Sequence, residues 1–421
     1  MPYRKKRSSS KKGEGEELQP KDPLGPPVGV ALISGRVGGR DAKYAVVDTA
    51  ANPSIPRPIA KLQGWYFWNS IGAPKYVCAP MVEQSELAFR HLCRRYGTTL
   101  CYTPMFHARL FLENVQYRND QFGEDDGKPE DRPLFVQFCA NHPETFLAAA
   151  RLVQHRCDAV DLNLGCPQGI AKKGNYGSFL MEDFDLVFSL VNELHRGLDI
   201  PVTAKIRVFD DHDKTLQYAK CLQDAGAQIL TVHGRTRENK GPDAVPADWS
   251  LIKKIREHVS IPVVSNGNIV TFEDVVDCLD ETGCAAVMSA EWLRRNPALF
   301  NNGEKVCAFR MALEYFELER EFPAPAGFVK AHVFKLLSTV EGGLNENPEM
   351  RQKIALTSDV GEIERLVREL ASKRNGVPSF PTGTKADILP ANVETKVPQV
   401  VKKLPAEEET EAIVDIFAAE W

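Results

Sequence analysis

Between Tyr76 and about Phe300 the chain repeats one rhythm, and no other feature restricts its fold as much. Eight short apolar segments recur: YVCAP at Tyr76, TLCYT at Thr99, LFVQF at Leu134, AVDLN at Ala159, PVTAKI at Pro201, ILTVHG at Ile229, PVVSNG at Pro262 and AAVMSA at Ala285. Stretches of helical periodicity lie between them, among them SELAFRHLCRRYG from Ser85, PETFLAAARLVQ from Pro143 and FEDVVDCLDETG from Phe272. Near-continuous apolar strands separated by helices imply a parallel sheet covered on both faces. Eight of them in a run of about 250 residues or fewer predict an α/β fold, a closed (β/α)8 TIM barrel rather than an open doubly wound sheet. Only Met105 to Asp131, with its polar ENVQYRNDQFGEDDGKPEDR, breaks the rhythm. It reads as a surface loop.

Chemistry concentrates after the fourth segment, in DLNLGCPQGIAKKGNYGSFL from Asp161 to Leu180. A buried strand empties here into a loop punctuated by glycines. Asp161, Asn163 and Cys166 place an acceptor, an amide and a thiol within six residues, and Lys172, Lys173 and Tyr176 follow. Free cysteine is usually a small buried hydrophobe. Gly165 and Pro167 are poor strand-interior residues, however, and the loop has no apolar period to pack such a side chain. A thiol beside cations at a strand end serves as proton donor, nucleophile or metal ligand, and no second cysteine is near enough in sequence to imply a metal.

In a barrel of this kind the strand C-termini share one mouth. The groups predicted there are Pro80 and Met81, Gln137, Asn163 and Cys166, Lys205 and Arg207, His233 and Arg235, Asn266 and Gly267, then Ser289, Ala290 and Glu291. The loops after the last two strands are built of small residues where such barrels bind phosphate, which implies a phosphorylated cofactor. Lys205 is placed to stabilise an anionic ring edge such as that of a reduced flavin.

These motifs together, APM at Ala79, VQF at Val136, DLNLGCPQ, the KKGNYG loop, KIR at Lys205, TVHGRTR at Thr231, NGNI at Asn266 and VMSAE at Val287, resemble the tRNA-dihydrouridine synthases. CYTPMFHA at Cys101 and MSAEWLRRNPALF at Met288 are most similar to the eukaryotic subgroup acting at tRNA positions 16 and 17. The resemblance implies an FMN-bearing barrel that reduces the C5=C6 bond of uridine with NADPH, and a helical domain that helps to hold the tRNA. It assigns FMN contacts to Pro80, Met81, Val82, Gln137, Lys205, His233, Asn266, Gly267, Asn268, Ala290 and Glu291, and makes Cys166 the general acid that protonates C5 as hydride reaches C6. Asn163 is implied as a partner of the uracil amide; Lys172, Lys173, Tyr176, Arg235 and Arg237 are implied at the RNA backbone. Relatives often carry Gly-Arg where this chain has Ala290-Glu291, so only backbone amides are credited to that phosphate loop.

The domains expected are an N-terminal extension over 1–60, largely disordered and basic at its start, a barrel over 61–301, a helical tRNA-binding domain over 302–375 and a disordered tail over 376–421. The aromatic run from Trp65 to Trp68 is expected to pack on a domain as a plug or lid rather than to stack bases. In the helical region EKVCAFRMALEYFELEREF, FVKAHVFKLLSTVEGG and EIERLVRELASKR have helical spacing and many cations, which also suit a plain solvated bundle. Net charge is −5, so no global basic field points to nucleic acid. Ten cysteines without a CxxC pair predict reduced thiols, and with no signal-peptide pattern the expected location is cytoplasmic or nuclear. No membrane, no metal and no oligomer is implied. Two alternatives remain at this level: a small-molecule FMN oxidoreductase of the dihydroorotate or dihydropyrimidine type, and a flavin-free barrel that binds RNA.

Overall fold

A computed structural model describes residues 61–241 and 244–373, and the backbone of two three-residue antiparallel strands, Gly35–Val37 and Arg40–Ala42. The rest of the expected N-terminal extension and the expected C-terminal tail lie outside the described residues.

All eight predicted strands form. They are β1 (Tyr76–Cys78), β2 (Leu100–Tyr102), β3 (Leu134–Cys139), β4 (Ala159–Leu164), β5 (Val202–Arg207), β6 (Leu230–His233), β7 (Val263–Asn266) and β8 (Ala286–Ser289). Each pairs in parallel with the next, and β8 pairs with β1, so the sheet closes on itself as a TIM barrel. A parallel ring puts every strand C-terminus at one end, as the sequence pattern required.

The bottom of the barrel is stopped by a helix, Gly64–Ser70. Its Phe67 and Trp68 are buried, and Phe67 stacks on Phe135 of β3 with centroids 6.0 Å apart. Burying a side chain such as Phe67 stabilises by about 1.5–3 kcal/mol. The aromatic run is therefore half plug: Trp65 and Tyr66 on the same helix remain exposed.

The insertion after β2 is more than a surface loop. It contains a two-residue strand, Phe106–His107, added beside β3, and helices over Ala108–Glu113 and Val115–Gln121. Its acidic end turns inward. Asp131 is fully buried and accepts from the equally buried Arg90 at 2.9 Å, while Arg90 also reaches Asp126 at 2.7 Å. The polar letters that read as solvated are the counter-charges of an arginine inside a barrel helix, an arrangement that survives burial only because each charge is paired.

Beyond the barrel four helices, Ala308–Glu321, Ala326–Leu337, Pro348–Leu356 and Val360–Ser372, form a bundle, one more than the apolar periodicity predicted. The bundle seats on the barrel helix Leu87–Arg95. There Glu86 accepts from Tyr315 Oη at 2.8 Å and faces His332 Nε2 at 3.0 Å, and His332 stacks on Phe89 at 4.3 Å. Among the described residues no helix is long and apolar enough to cross a membrane.

Candidate active site

Strand alternation sorts the mouth into layers, since residues two apart on a strand face the same side. Gln137, Asp161 and Thr203 occupy one register row, Asn163, Lys205 and Thr231 the next, and Arg207, His233 and Asn266 the outermost. The lowest row carries a chain of hydrogen bonds. Thr203 Oγ1 donates to one oxygen of Asp161 at 2.6 Å, Gln137 Nε2 donates to the other at 2.8 Å, and Asn163 Nδ2 donates to Gln137 Oε1 at 2.8 Å. Asn163 Oδ1 then accepts from the backbone amides of Gly165, at 3.1 Å, and Cys166, at 2.9 Å.

The polarity of this chain is determined at its ends. Main-chain N–H groups only donate and a carboxylate only accepts, so both intervening side-chain amides have one allowed orientation. Burial pushes the Asp161 carboxyl up to about 6, against the hydrogen bonds from Thr203 and Gln137 that pull it down. At neutral pH it remains the acceptor that holds Gln137, Asn163 and finally the cysteine loop.

Three more groups clamp that loop. Arg207 Nε donates to the Gly165 carbonyl at 2.8 Å, and Ser178 donates to the Cys166 carbonyl from its amide at 3.1 Å and its hydroxyl at 2.9 Å. Gly177, at φ +64°, lies so close that a Cβ there would sit 2.8 Å from the Cys166 carbonyl oxygen. Only glycine meets both the left-handed backbone and the approach. Cys166 itself is partly exposed. Burial raises its thiol, while the Gln168 amide, Arg207, Lys205 and Lys240 pull it back. The net shift is upward, so the sulfur carries its proton at neutral pH, the state a proton donor requires.

Cations dominate the rest of the mouth. Lys205, beside Asn163 in register, has no hydrogen-bond or ion-pair partner among the described residues, and burial together with the Arg207 charge lowers it to about 8. Arg207 falls to about 10 for the same reasons, burial and the nearby Arg235. His233 is held well below its ordinary value by burial and by Lys205, Arg207 and Arg235, and is neutral. Positive groups crowded at mutual cost are a site for an anion. The β7 loop is shaped for close approach. At Gly267, φ +113°, a Cβ would meet Ala247 Cβ at 2.7 Å, and Asn268 accepts from Arg235 at 2.8 Å. Asn266 Nδ2 is spent on the Met288 carbonyl at 2.9 Å.

The remaining predicted residues divide. Pro80, Met81 and Val82 follow β1, with the Met81 amide donating to Ser85 at 3.0 Å. Ala290 caps the short helix Glu291–Arg295, and Glu291 turns away from the mouth into ion pairs with Arg294, Arg295 and Lys335, leaving only backbone for a phosphate. Lys172 and Lys173 are exposed, without partners among the described residues. Tyr176 does not stand in solvent with them. It is 5% exposed and packs with Cys139 and Ala171 against Cys166, a buried place where a solvent-facing one was expected. Arg237 is engaged by Glu182 and Glu238, and Arg235 donates to the Val245 carbonyl at 2.7 Å. Sequence reasoning missed Ser178, Gly177 and the clamping role of Arg207, although Arg207 stands two residues past Lys205 and so on the same strand face. Among the described residues no group of three or more His, Cys, Asp or Glu side chains is placed to hold a metal ion.

Residues 77–377 match the family described as Dihydrouridine synthase (Dus). The chain is 47% identical to a rat (Rattus norvegicus) tRNA-dihydrouridine(16/17) synthase-like protein over 79% of this chain and 75% of that one. It is 51% identical to a mouse (Mus musculus) protein of the same description, over 70% of this chain and 61% of the relative, and spans less than two thirds of that relative's length. With the Saccharomyces cerevisiae tRNA-dihydrouridine(16/17) synthase the identity is 53%, over 66% of this chain and 68% of the yeast protein. With a closed barrel, a clamped strand-end cysteine and this extent of likeness, the chain belongs to the dihydrouridine synthase family.

Proposed function

We propose that the protein reduces the C5=C6 bond of uridine in the D-loop of tRNA, at positions 16 and 17, with NADPH as reductant and FMN in the barrel mouth. The observation that carries the reading is the partly exposed thiol of Cys166, on a loop whose backbone is held by Asn163, Arg207 and Ser178 at the end of β4, beside the partnerless Lys205. The positions rest on the names of the rat and yeast relatives.

The mouth fits the cofactor. An anion would relieve the crowding of Lys205 with Arg207 and Arg235, neutral His233 offers a ring nitrogen, and the loop at Gly267 lets backbone approach a ligand. Gln137 and Asn266 line the same mouth, with Pro80, Met81 and Val82 and the Ala290 backbone completing the contacts. FMN, when bound and reduced, supplies the hydride that reaches uracil C6.

The chain's own groups do the rest. Cys166 gives its thiol proton to C5, and Lys205, Arg207 and Lys240 stabilise the thiolate it becomes. Asn163 has committed its oxygen to the loop and one N–H to Gln137, which leaves a second N–H to meet a uracil carbonyl. Lys172 and Lys173, on the loop rim, meet phosphate, and the helical domain adds contacts to folded tRNA. A uridine must leave its stack to reach the thiol, at about a few kcal/mol.

The test is direct. Purified protein, NADPH and tRNA lacking dihydrouridine are incubated, and the modified positions are mapped by mass. Dihydrouridine at 16 and 17, together with FMN released on denaturation, is the expected result. No dihydrouridine from flavin-loaded protein would overturn it.

A further inference from the structure

The insertion after β2 is the one prominent segment that the proposed reaction leaves without a task. Its first residues pack against the cysteine loop. A cavity of about 280 Å³ opens there, lined by His107 and Arg109 of the insertion, Asn141, His142 and Thr145 after β3, and Gly174 of the KKGNYG loop. It is tied to the reacting centre by two short links. Asn141 Nδ2 donates to the Gly174 carbonyl at 3.0 Å, and the His107 ring meets Tyr176 edge-on at 5.7 Å, the same Tyr176 that packs against Cys166.

We propose that this cavity is a subsite for one base of single-stranded RNA, the neighbour of the uridine presented to Cys166. The inference rests on the reading of the protein as a tRNA-uridine reductase and says where the next nucleotide goes. The volume is near the lower end of about 300–1,000 Å³ for small-molecule sites, so it takes one base and not a dinucleotide. Its chemistry matches a base edge. Thr145 Oγ1 and His142 Nδ1 pair with each other at 3.4 Å, which leaves Asn141 Oδ1, its second N–H and His142 Nε2 as the acceptors and donors a heterocycle with mixed edges requires. Burial, with the Arg109 charge, brings His107 down to about 4, so its ring is a neutral, flat wall at working pH. Arg109 lies at the rim, where the connecting phosphate passes.

An enzyme acting on two adjacent uridines has a particular need for such a place. Extruding one base from a loop strains its neighbour, which must be held or left to compete for the reacting position. A pocket linked to the cysteine loop through Gly174 and Tyr176 holds the waiting or finished nucleotide while the other reacts. Base-stacking sites elsewhere are sequence-tolerant, so uridine and the non-planar dihydrouridine are both admitted, the planar base being favoured.

The experiment is a double cycle in tRNA binding, on the full flavin-loaded protein. Thr145→Trp fills the cavity, and Arg109→Glu, a second variant that leaves the core untouched, reverses the charge at its rim. Each is paired with tRNA carrying an abasic ribose on the 5′ or the 3′ side of a single target uridine. Wild type should lose about tenfold in affinity when the neighbouring base is removed, as expected for one stacked base. Thr145→Trp should lose a similar factor on intact tRNA and nothing further on one of the two abasic substrates. Losses that multiply on both abasic substrates, for both variants, overturn the subsite. Because binding is read without turnover, coupled losses in the absence of dihydrouridine would keep the subsite and remove the reaction, so the two readings fail separately.

Discussion

Three lysines at the barrel mouth and the arginines of the first and last bundle helices are cations in opposite company. At the mouth Lys205, Lys172 and Lys173 stand without a partner among the described residues. On the bundle Arg310 pairs with Glu314, Arg320 with Glu364, Arg365 with Glu362 and Glu369, Arg368 with Glu364, and Lys373 with Glu369. An unpaired cation holds its charge for a ligand, whereas a paired one must first give up a carboxylate. Cations in the two regions are therefore unequal evidence for RNA contact, although they look alike in the sequence.

The strongest way to break this contrast is at the cysteine. Cys166→Ala should fold, bind FMN and accept electrons from NADPH normally, since no bond that clamps the loop uses the thiol. Single-turnover reduction of tRNA should fall by about 10²–10⁴, the contribution of a general acid. Unchanged turnover would mean that the clamped loop positions RNA and delivers no proton. Removing the same atom at Cys157, which is buried away from that loop, should alter stability and leave the chemistry alone.

On the bundle side the largest effect is structural. Glu86 is half-buried at the joint, where desolvation alone would raise its carboxyl, but the neighbouring His332 and hydrogen bonds from His332 and Tyr315 hold it below its ordinary 4.5. A depressed acid contributes stability above its unfolded value and loses it as pH falls through the folded one. Glu86→Gln should cost about 3 kcal/mol at neutral pH by breaking the joint. Below about pH 4.5 the variant's stability should be flatter than wild type's, read from urea unfolding against pH. A wild-type curve no steeper than the variant's would show that the joint is held by the Phe89–His332 stack alone.

How much was legible follows the same division. The strands were readable because a parallel strand covered on both faces leaves a nearly continuous apolar run, and the ring then places Asn163, Cys166, Lys205 and His233 at one mouth without further information. What holds the loop was less readable. Asp161, Gln137 and Asn163 are far apart in sequence or look like independent candidates, and only the β3–β4–β5 register makes them one chain. The insertion misled because charge was taken for exposure: Asp126 and Asp131 have their partner, Arg90, on an earlier helix. Tyr176 misled for the converse reason, being surrounded in sequence by lysines and glycine and in space by Cys139 and Ala171.

A smaller effect sharpens the contrast at the rim of the mouth. Replacing Lys172 and Lys173 together with alanine should weaken tRNA binding uniformly across sequences. If each releases counterions from a single-stranded loop, the slope of log affinity against log salt should become shallower by about 1.4, at about 0.7 per phosphate contact. An unchanged slope would take both lysines off the RNA. Flavin content should be unaffected, because neither residue faces the mouth cations.

The smallest expected effect is on the last helix, Val360–Ser372. Its ion pairs were already written in the spacing: Glu362 and Arg365 are three apart, while Glu364 and Arg368, Arg365 and Glu369, and Glu369 and Lys373 are four apart. Such pairs stabilise a helix by about 0.2–0.5 kcal/mol each and cancel its outward field. Arg365→Ala with Arg368→Ala should therefore change tRNA affinity by less than a factor of about 2 and leave the salt slope where it was, because no net phosphate contact is lost. Stability should fall by about 1 kcal/mol at most. The comparison breaks if this pair of substitutions flattens the salt slope as much as the Lys172 and Lys173 pair does. The arginines would then exchange their glutamates for phosphate on binding, and the bundle would contact RNA through cations that are paired only in its absence.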